Sequence, residues 1–230
     1  MSVNQPTVPT RGDTDGMPTP QRHWVMLCIL LGVVLGSLDS AIANIALPTI
    51  AQEIGASAAG IIWVVNGYQL ATAVCLLPAA ALGEILGHKR VYATGLIVFT
   101  IASLACAMAP TLDTLVIARL VQGLGGACTS ALGPALIRSI YPRRILGSGF
   151  ALIALAVAVS SALGPTIAAL ILSVASWRWL FLVNLPVCLI AIPLFLIVAP
   201  ASHGTPRAFD LPGALLTALA LGLLVIGVDA

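Results

Sequence analysis

The chain has 230 residues, 60% of them hydrophobic and only 8% charged, with ten Lys+Arg against eight Asp+Glu and a formal net charge of +2. A typical soluble domain carries about 25% charged residues, so a chain this apolar (mean hydropathy +1.09) cannot coat a water-facing surface. That excludes a soluble enzyme, a nucleic-acid reader with a basic face and a disordered tail, and leaves an integral membrane protein whose first partner is the lipid bilayer.

Residues 1–22 are rich in Thr, Pro, Asp and Gly and read as a disordered cytoplasmic leader, too polar for a secretory signal. A bilayer core about 30 Å thick needs roughly 20 mostly apolar residues per helix. Seven stretches qualify: Trp24–Leu47, Ile61–Leu82, Val91–Ala109, Thr114–Ile137, Gly147–Ser173, Trp179–Ala199 and Leu211–Val228. They are apolar on every side and do not alternate, which fits an all-α polytopic helix bundle and not a β-barrel. Pro110, Pro142, Pro200 and Pro206 punctuate the connections. The organisation expected is a leader (1–22), a six-helix domain (23–200) and a linker with a seventh helix (201–230). That seventh span stops at Asp229-Ala230, so the chain reads as the amino-terminal portion of a longer protein, the alternative being a genuine seven-helix protein.

Eight of the ten basic residues (Arg11, Arg22, Lys89, Arg90, Arg138, Arg143, Arg144, Arg207) fall on one side if the spans alternate. Glu53, Asp113 and the exception Arg178 fall on the other. The positive-inside rule then makes the amino terminus cytoplasmic. Trp63, Trp177 and Trp179 lie near predicted outer ends and Trp24 near the inner end, as interfacial anchors. The cysteines (Cys28, Cys75, Cys106, Cys128, Cys188) all sit in apolar spans and form no ligand set with His23, His88 or His203, so they read as small hydrophobes. Gly123-Leu-Gly-Gly resembles a phosphate loop but lies deep in a span, where close helix approach is the better use of Gly123, Gly125 and Gly126. No nucleophile–base pair is placed for chemistry. The reading is no enzyme, no metal, no cofactor and no nucleic-acid partner.

Asp39 in the first span and Arg119 in the fourth are charges inside the membrane, each costing roughly 2.5–3.5 kcal/mol to insert. Asp39 is eight positions before Leu47, or about 12 Å inward; Arg119 is five positions after Thr114, or about 8 Å inward from the same side. A pairing is therefore allowed. It would be either a static ion pair that sets helix register or a proton site at Asp39 tuned by Arg119. Burial favours a neutral acid and a nearby cation favours the carboxylate, so opposed influences can keep such a group titratable.

The residues then resemble a known family. LDSAIANIALP (Leu38 to Pro48) is similar to the pattern lDxTvvNvALP of multidrug proton antiporters in the fourteen-helix branch of the major facilitator superfamily, with Ala41 where Thr is usual. LVIARLVQGLGGA (Leu115 to Ala127) fits lxxxRxxqGxgaa, and SALGPTIAA (Ser161 to Ala169) resembles the antiporter motif gxxxGPxxGG, keeping Gly164-Pro165. In that motif Ser160, Ala168 and Ala169 stand where glycines are usual. WRWLFLVNLP (Trp177 to Pro186) looks like the entry to the sixth helix of this branch. The loop between the second and third spans departs from GxLaDrxGrk: Glu84 replaces Asp, Ile85 and His88 replace arginines, and Ala80 replaces the first Gly. Glu84 followed by Gly87-His88-Lys89-Arg90 also resembles efflux proteins for methyl viologen and quaternary ammonium compounds.

The resemblance implies a proton-coupled exporter of lipophilic or cationic drugs in the bacterial cytoplasmic membrane, with protons and the drug as its ligands. It assigns proton or cation coupling to Asp39 and Arg119 and a gating hinge to Glu84, Gly87, Lys89 and Arg90. Gly164-Pro165 would kink the fifth span, for opening or simply for packing. Asn44, Asn66, Tyr68 and Gln122 could line a cavity or bond between helices. The same fold would equally serve a transporter of one metabolite; a non-transporting sensor or scaffold is a further alternative.

Overall fold

The computed structural model describes residues 16–202, 204–205, 210, 212–214, 216–217 and 220. Its helices are α1 (Thr19–Ile54), α2 (Ala58–Ile61), α3 (Trp63–Leu86), α4 (His88–Met108), α5 (Leu112–Ile140), α6 (Leu146–Val174), α7 (Arg178–Leu182) and α8 (Asn184–Val198), with a turn of 3₁₀ helix at Arg143–Ile145 before α6. They form six segments long and apolar enough to cross a membrane, because α2 runs on into α3 and α7 into α8. No strand occurs among the described residues. The predicted seventh span lies largely outside them, as do Arg11, His203, Pro206 and Arg207.

Two boundaries differ from the sequence expectation. The leader ends earlier, because Thr19–Arg22 already form the first turn of α1, where Pro20 sits in the position whose missing N–H costs nothing. At its other end α1 does not stop at Pro48 but continues to Ile54. Proline there removes the helical donor for the carbonyl of Asn44, a residue that lines a cavity.

The packing has α5 at its centre, laid most extensively against α3 and α4, while α1 crosses α6 and α8. Glycines set these approaches. A Cβ on Gly123 would lie 2.6 Å from the Tyr68 carbonyl of α3, and one on Gly125 would lie 2.6 Å from the Phe99 nitrogen and 2.7 Å from the Gly95 carbonyl of α4. A Cβ on Gly126 would lie 2.8 Å from the Tyr68 phenol oxygen, and one on Gly164 of α6 would lie 2.5 Å from the Ala41 methyl of α1. Gly164 thus contacts α1 one residue before Pro165, which lies inside α6. Without side chains between them, helix backbones gain dispersion contact that lipid-facing leucines cannot give.

One apolar cluster, around Ile29, Tyr92, Leu136 and Phe195, holds one end of the bundle; another, around Ile50, Leu115, Trp177 and Phe181, holds the other. The first end gathers the start of α1, the end of α5, the α3–α4 turn and the end of α8: the Met17 amide donates to the Ile140 carbonyl, and Arg22 lies 5.2 Å from the Tyr141 ring centre. Arg178 belongs to the opposite end, where it donates to the Ala109 carbonyl at 3.1 Å. Trp24, Trp63 and Trp179 are exposed, whereas Trp177 is fully buried. This corrects its reading as an interfacial anchor: its indole N–H donates to Glu53 at 2.9 Å, tying α7 to the last turn of α1. Trp177→Phe removes that bond and is expected to cost about 1–3 kcal/mol, seen as a lower melting temperature in detergent.

Candidate functional site

Between the two apolar clusters lies a buried polar group to which four spans contribute: Asp39 from α1, Ser103 from α4, Arg119 and Gln122 from α5, and Asn184 from the first residue of α8. Asp39 is 2% exposed and Arg119 0%. The structure brings them into direct contact as an ion pair between Arg119 Nη1 and Asp39 Oδ2. Arg119 Nη1 also donates to Gln122 Oε1 at 2.6 Å, and its Nε donates to the Val64 carbonyl of α3 at 2.9 Å. The other carboxylate oxygen, Asp39 Oδ1, accepts from Gln122 Nε2 at 2.9 Å and from Asn184 Nδ2 at 3.0 Å. Ser103 Oγ accepts from Gln122 at 2.9 Å and Asn184 at 3.4 Å and donates to the Phe99 carbonyl at 2.8 Å. Cys106 Sγ donates to Gln122 Oε1 at 3.6 Å.

Every group facing Asp39 in this network is a donor, which suits a carboxylate.

A cavity of about 730 Å³ lies beside the network, between α1, α3, α5 and α6. Its wall carries hydroxyls and amides, among them Ser37, Ser40, Asn44, Gln69, Thr72 and Ser130, and no charged side chain. Of the residues expected to line it, Asn44 and Tyr68 do so. Asn66 is half-buried and does not. Gln122 is fully buried and turned into the Asp39 network; the physical reason is that an amide can supply both the donor and the acceptor that a carboxylate and a guanidinium leave open side by side.

At the bundle end that holds the α3–α4 turn, the residues of the expected gating hinge bond mostly to the segment after α8. Glu84 pairs with His88 at 3.1 Å, and its carbonyl accepts from the Thr205 amide at 2.9 Å. Lys89 Nζ donates to the Ala199 carbonyl at the end of α8 at 2.7 Å, and the Lys89 amide donates to Ser202 Oγ at 2.8 Å. Arg90 is exposed. Gly87 has φ 95°, which L side chains rarely adopt, and a Cβ there would press on the Ser202 carbonyl. Gly87→Ala is expected to cost about 1–3 kcal/mol from backbone strain and to release the segment after α8, measurable as faster proteolysis at residues 199–205.

The sequence alone does not single out Asn184 or Ser103. Asn184 was visible as an amide inside WRWLFLVNLP, in a span otherwise without polar side chains. Ser103 carried no signal, since a serine in a membrane helix commonly bonds its own backbone, as Ser103 also does. Among the described residues, no group of His, Cys, Asp and Glu could hold a metal ion.

The family model described as Major Facilitator Superfamily matches residues 29–228. The chain is 49% identical over 213 residues to the "Uncharacterized transporter YebQ" of Escherichia coli (strain K12), covering 92% of this chain and 47% of that protein. It is 34% identical to the "Putative multidrug resistance protein MdtD" of Salmonella paratyphi B, covering 90% of this chain and 44% of that one. The chain thus spans about half the length of the curated relatives it matches. Among solved structures, the proton:xylose symporter XylE superposes with a TM-score of 0.67 at 17% identity, over 91% of this chain and 50% of XylE. The human organic anion transporter MFSD10 gives 0.69 at 17% identity, over 90% and 55% respectively. With six membrane-length helices, a buried charge pair at their centre and these matches, the chain belongs to the major facilitator superfamily of membrane transporters.

Proposed function

We propose that this chain forms the proton-coupling half of an exporter that moves lipophilic or cationic drugs out of the cell in exchange for protons. The observation that carries the reading is the buried Asp39–Arg119 pair with its donors matched to a carboxylate, set beside a cavity large enough for a drug-sized molecule. Asp39 is the proton site; Arg119, Gln122 and Asn184 hold its ionised form. Export follows when proton and drug favour opposite states of one bundle, so that neither is carried alone. The basic end of the bundle faces the cytoplasm on the positive-inside rule. A putative multidrug resistance protein among the relatives supports the drug as cargo. The uncharged lining supports cargo held by dispersion, ring stacking and hydrogen bonds in place of a cavity-wall ion pair.

The test is proton release from a purified full-length transporter carrying this sequence, in weakly buffered detergent solution, on addition of ethidium. Release that saturates with ethidium is the expected result. Saturable ethidium binding without any proton release would remove antiport and leave a uniporter or a carrier of another solute.

A further inference from the structure

Tyr68 occupies two places at once. Its ring centre lies 4.4 Å from the guanidinium carbon of Arg119, and its side chain lines the cavity. Asp39, Ser103, Arg119, Gln122 and Asn184 do not line it. Of the side chains shown to contact Arg119 among the described residues, Asp39, Gln122, Tyr68 and Phe181, only Tyr68 lies on the cavity wall.

The guanidinium depends on that ring. Arg119 is fully buried, yet its Nη2 has no hydrogen-bond partner. Beside its ion pair with Asp39, the guanidinium carbon lies over the rings of Tyr68 and, at 5.6 Å, Phe181. The phenol sits in a slot made by small residues: a Cβ on Gly126 of α5 would come within 2.8 Å of its oxygen and one on Gly36 of α1 within 3.7 Å. Against α5 the ring has little room to yield to a cavity occupant without moving against the guanidinium.

We infer that Tyr68 is a positioning residue that conveys filling of the cavity to the Asp39–Arg119 pair, an inference that rests on the proposed drug–proton exchange. An occupant that presses or stacks on the phenol shifts the ring along the guanidinium. Arg119 Nη1 is then displaced from Asp39, and the balance between the carboxylate and its protonated form changes. The titratable and charged groups facing Arg119 are Asp39 from α1, Tyr68 from α3 and Cys106 from α4; α5 itself adds Gln122, α7 presents Phe181, and α8 presents Asn184 and the thiol of Cys188, which acts on Asp39. Tyr68 is the route from the cavity into that set.

The experiment compares wild type, Tyr68→Phe, Tyr68→Leu and Gly126→Ala in the purified full-length transporter, with ethidium as the probe. It reads the ethidium Kd across pH and the protons released per ethidium bound at saturation. Tyr68→Leu removes the ring face and is expected to lower proton release and to flatten the pH dependence of Kd, which in the wild type should span about fivefold or more if the coupling is of typical size. Tyr68→Phe keeps the face and rescues both readouts. Gly126→Ala keeps the aromatic ring but places a Cβ 2.8 Å from its oxygen and so shifts it against the guanidinium, and lowers release in the same direction. Wild-type release persisting in Tyr68→Leu overturns the inference, as does loss in Tyr68→Phe, which would assign the effect to the hydroxyl. If Tyr68→Leu binds no ethidium, unchanged release in Gly126→Ala overturns it. Absence of release in the wild type overturns the proposed exchange and this inference together, so the two failures are told apart.

Discussion

Asp39→Asn in a full-length transporter carrying this chain is expected to reduce proton-driven efflux of ethidium from energised everted vesicles to the level of vesicles lacking the protein. The amide has nearly the shape of the acid but no proton to give up, and its NH2 would be aimed at Arg119, Gln122 or Asn184, all of which present donors to this position. The same substitution leaves the Arg119 cation buried without its anion, and breaking one side of a buried pair costs about 3–5 kcal/mol. Loss of efflux alone would therefore be ambiguous between mechanism and folding. The double variant Asp39→Asn/Arg119→Met resolves this. Removing both charges lifts most of the desolvation cost, so the double variant should melt higher than Asp39→Asn alone, while efflux stays at background. An Asp39→Asn protein that still exports ethidium when driven by a proton gradient would take Asp39 out of the mechanism; a double variant that regains efflux would show the pair to be architecture only.

The second large effect is expected at the α4–α5 contact. Gly125→Ala should destabilise the bundle although alanine is the better helix former, by about 1 kcal/mol per residue. The added methyl would lie 2.6 Å from the Phe99 nitrogen and 2.7 Å from the Gly95 carbonyl, and backbone atoms of a neighbouring helix cannot rotate aside. Overpacking of this kind costs about 1–3 kcal/mol, so the clash outweighs the propensity. It also pushes α5 away from the helix that carries Ser103, stretching the Gln122–Ser103 bond. Gly147→Ala is the control: nothing lies within 4 Å of its added carbon, and its melting temperature should stay at or above that of the wild type. Equal melting temperatures for the Gly125 and Gly147 variants would mean that α4 and α5 are less closely apposed than described.

These expectations depend on features of unequal visibility in the sequence. The six described spans follow from runs of apolar residues as long as a bilayer is thick, and the two charges set within them announce themselves by their cost. The glycines of GLGG could be assigned to helix approach because close packing of helices suits a membrane interior better than a phosphate loop does. The family resemblance, carried by LDSAIANIALP, LVIARLVQGLGGA and SALGPTIAA, agrees with the family model that matches residues 29–228.

Composition and spacing therefore determined that this is a membrane bundle with an acid and a guanidinium buried in it, since burial in lipid depends on length and polarity alone. The tertiary structure decided which side chains those two charges meet. A helix apolar on all sides has no face that its sequence marks as inward, so the rotation of each helix is set by where small residues let its neighbours approach. That rotation turns Gln122 away from the cavity and onto Asp39, brings Asn184 and Ser103 to the same carboxylate from distant parts of the chain, buries Trp177 against Glu53, and leaves Tyr68 between the cavity and Arg119.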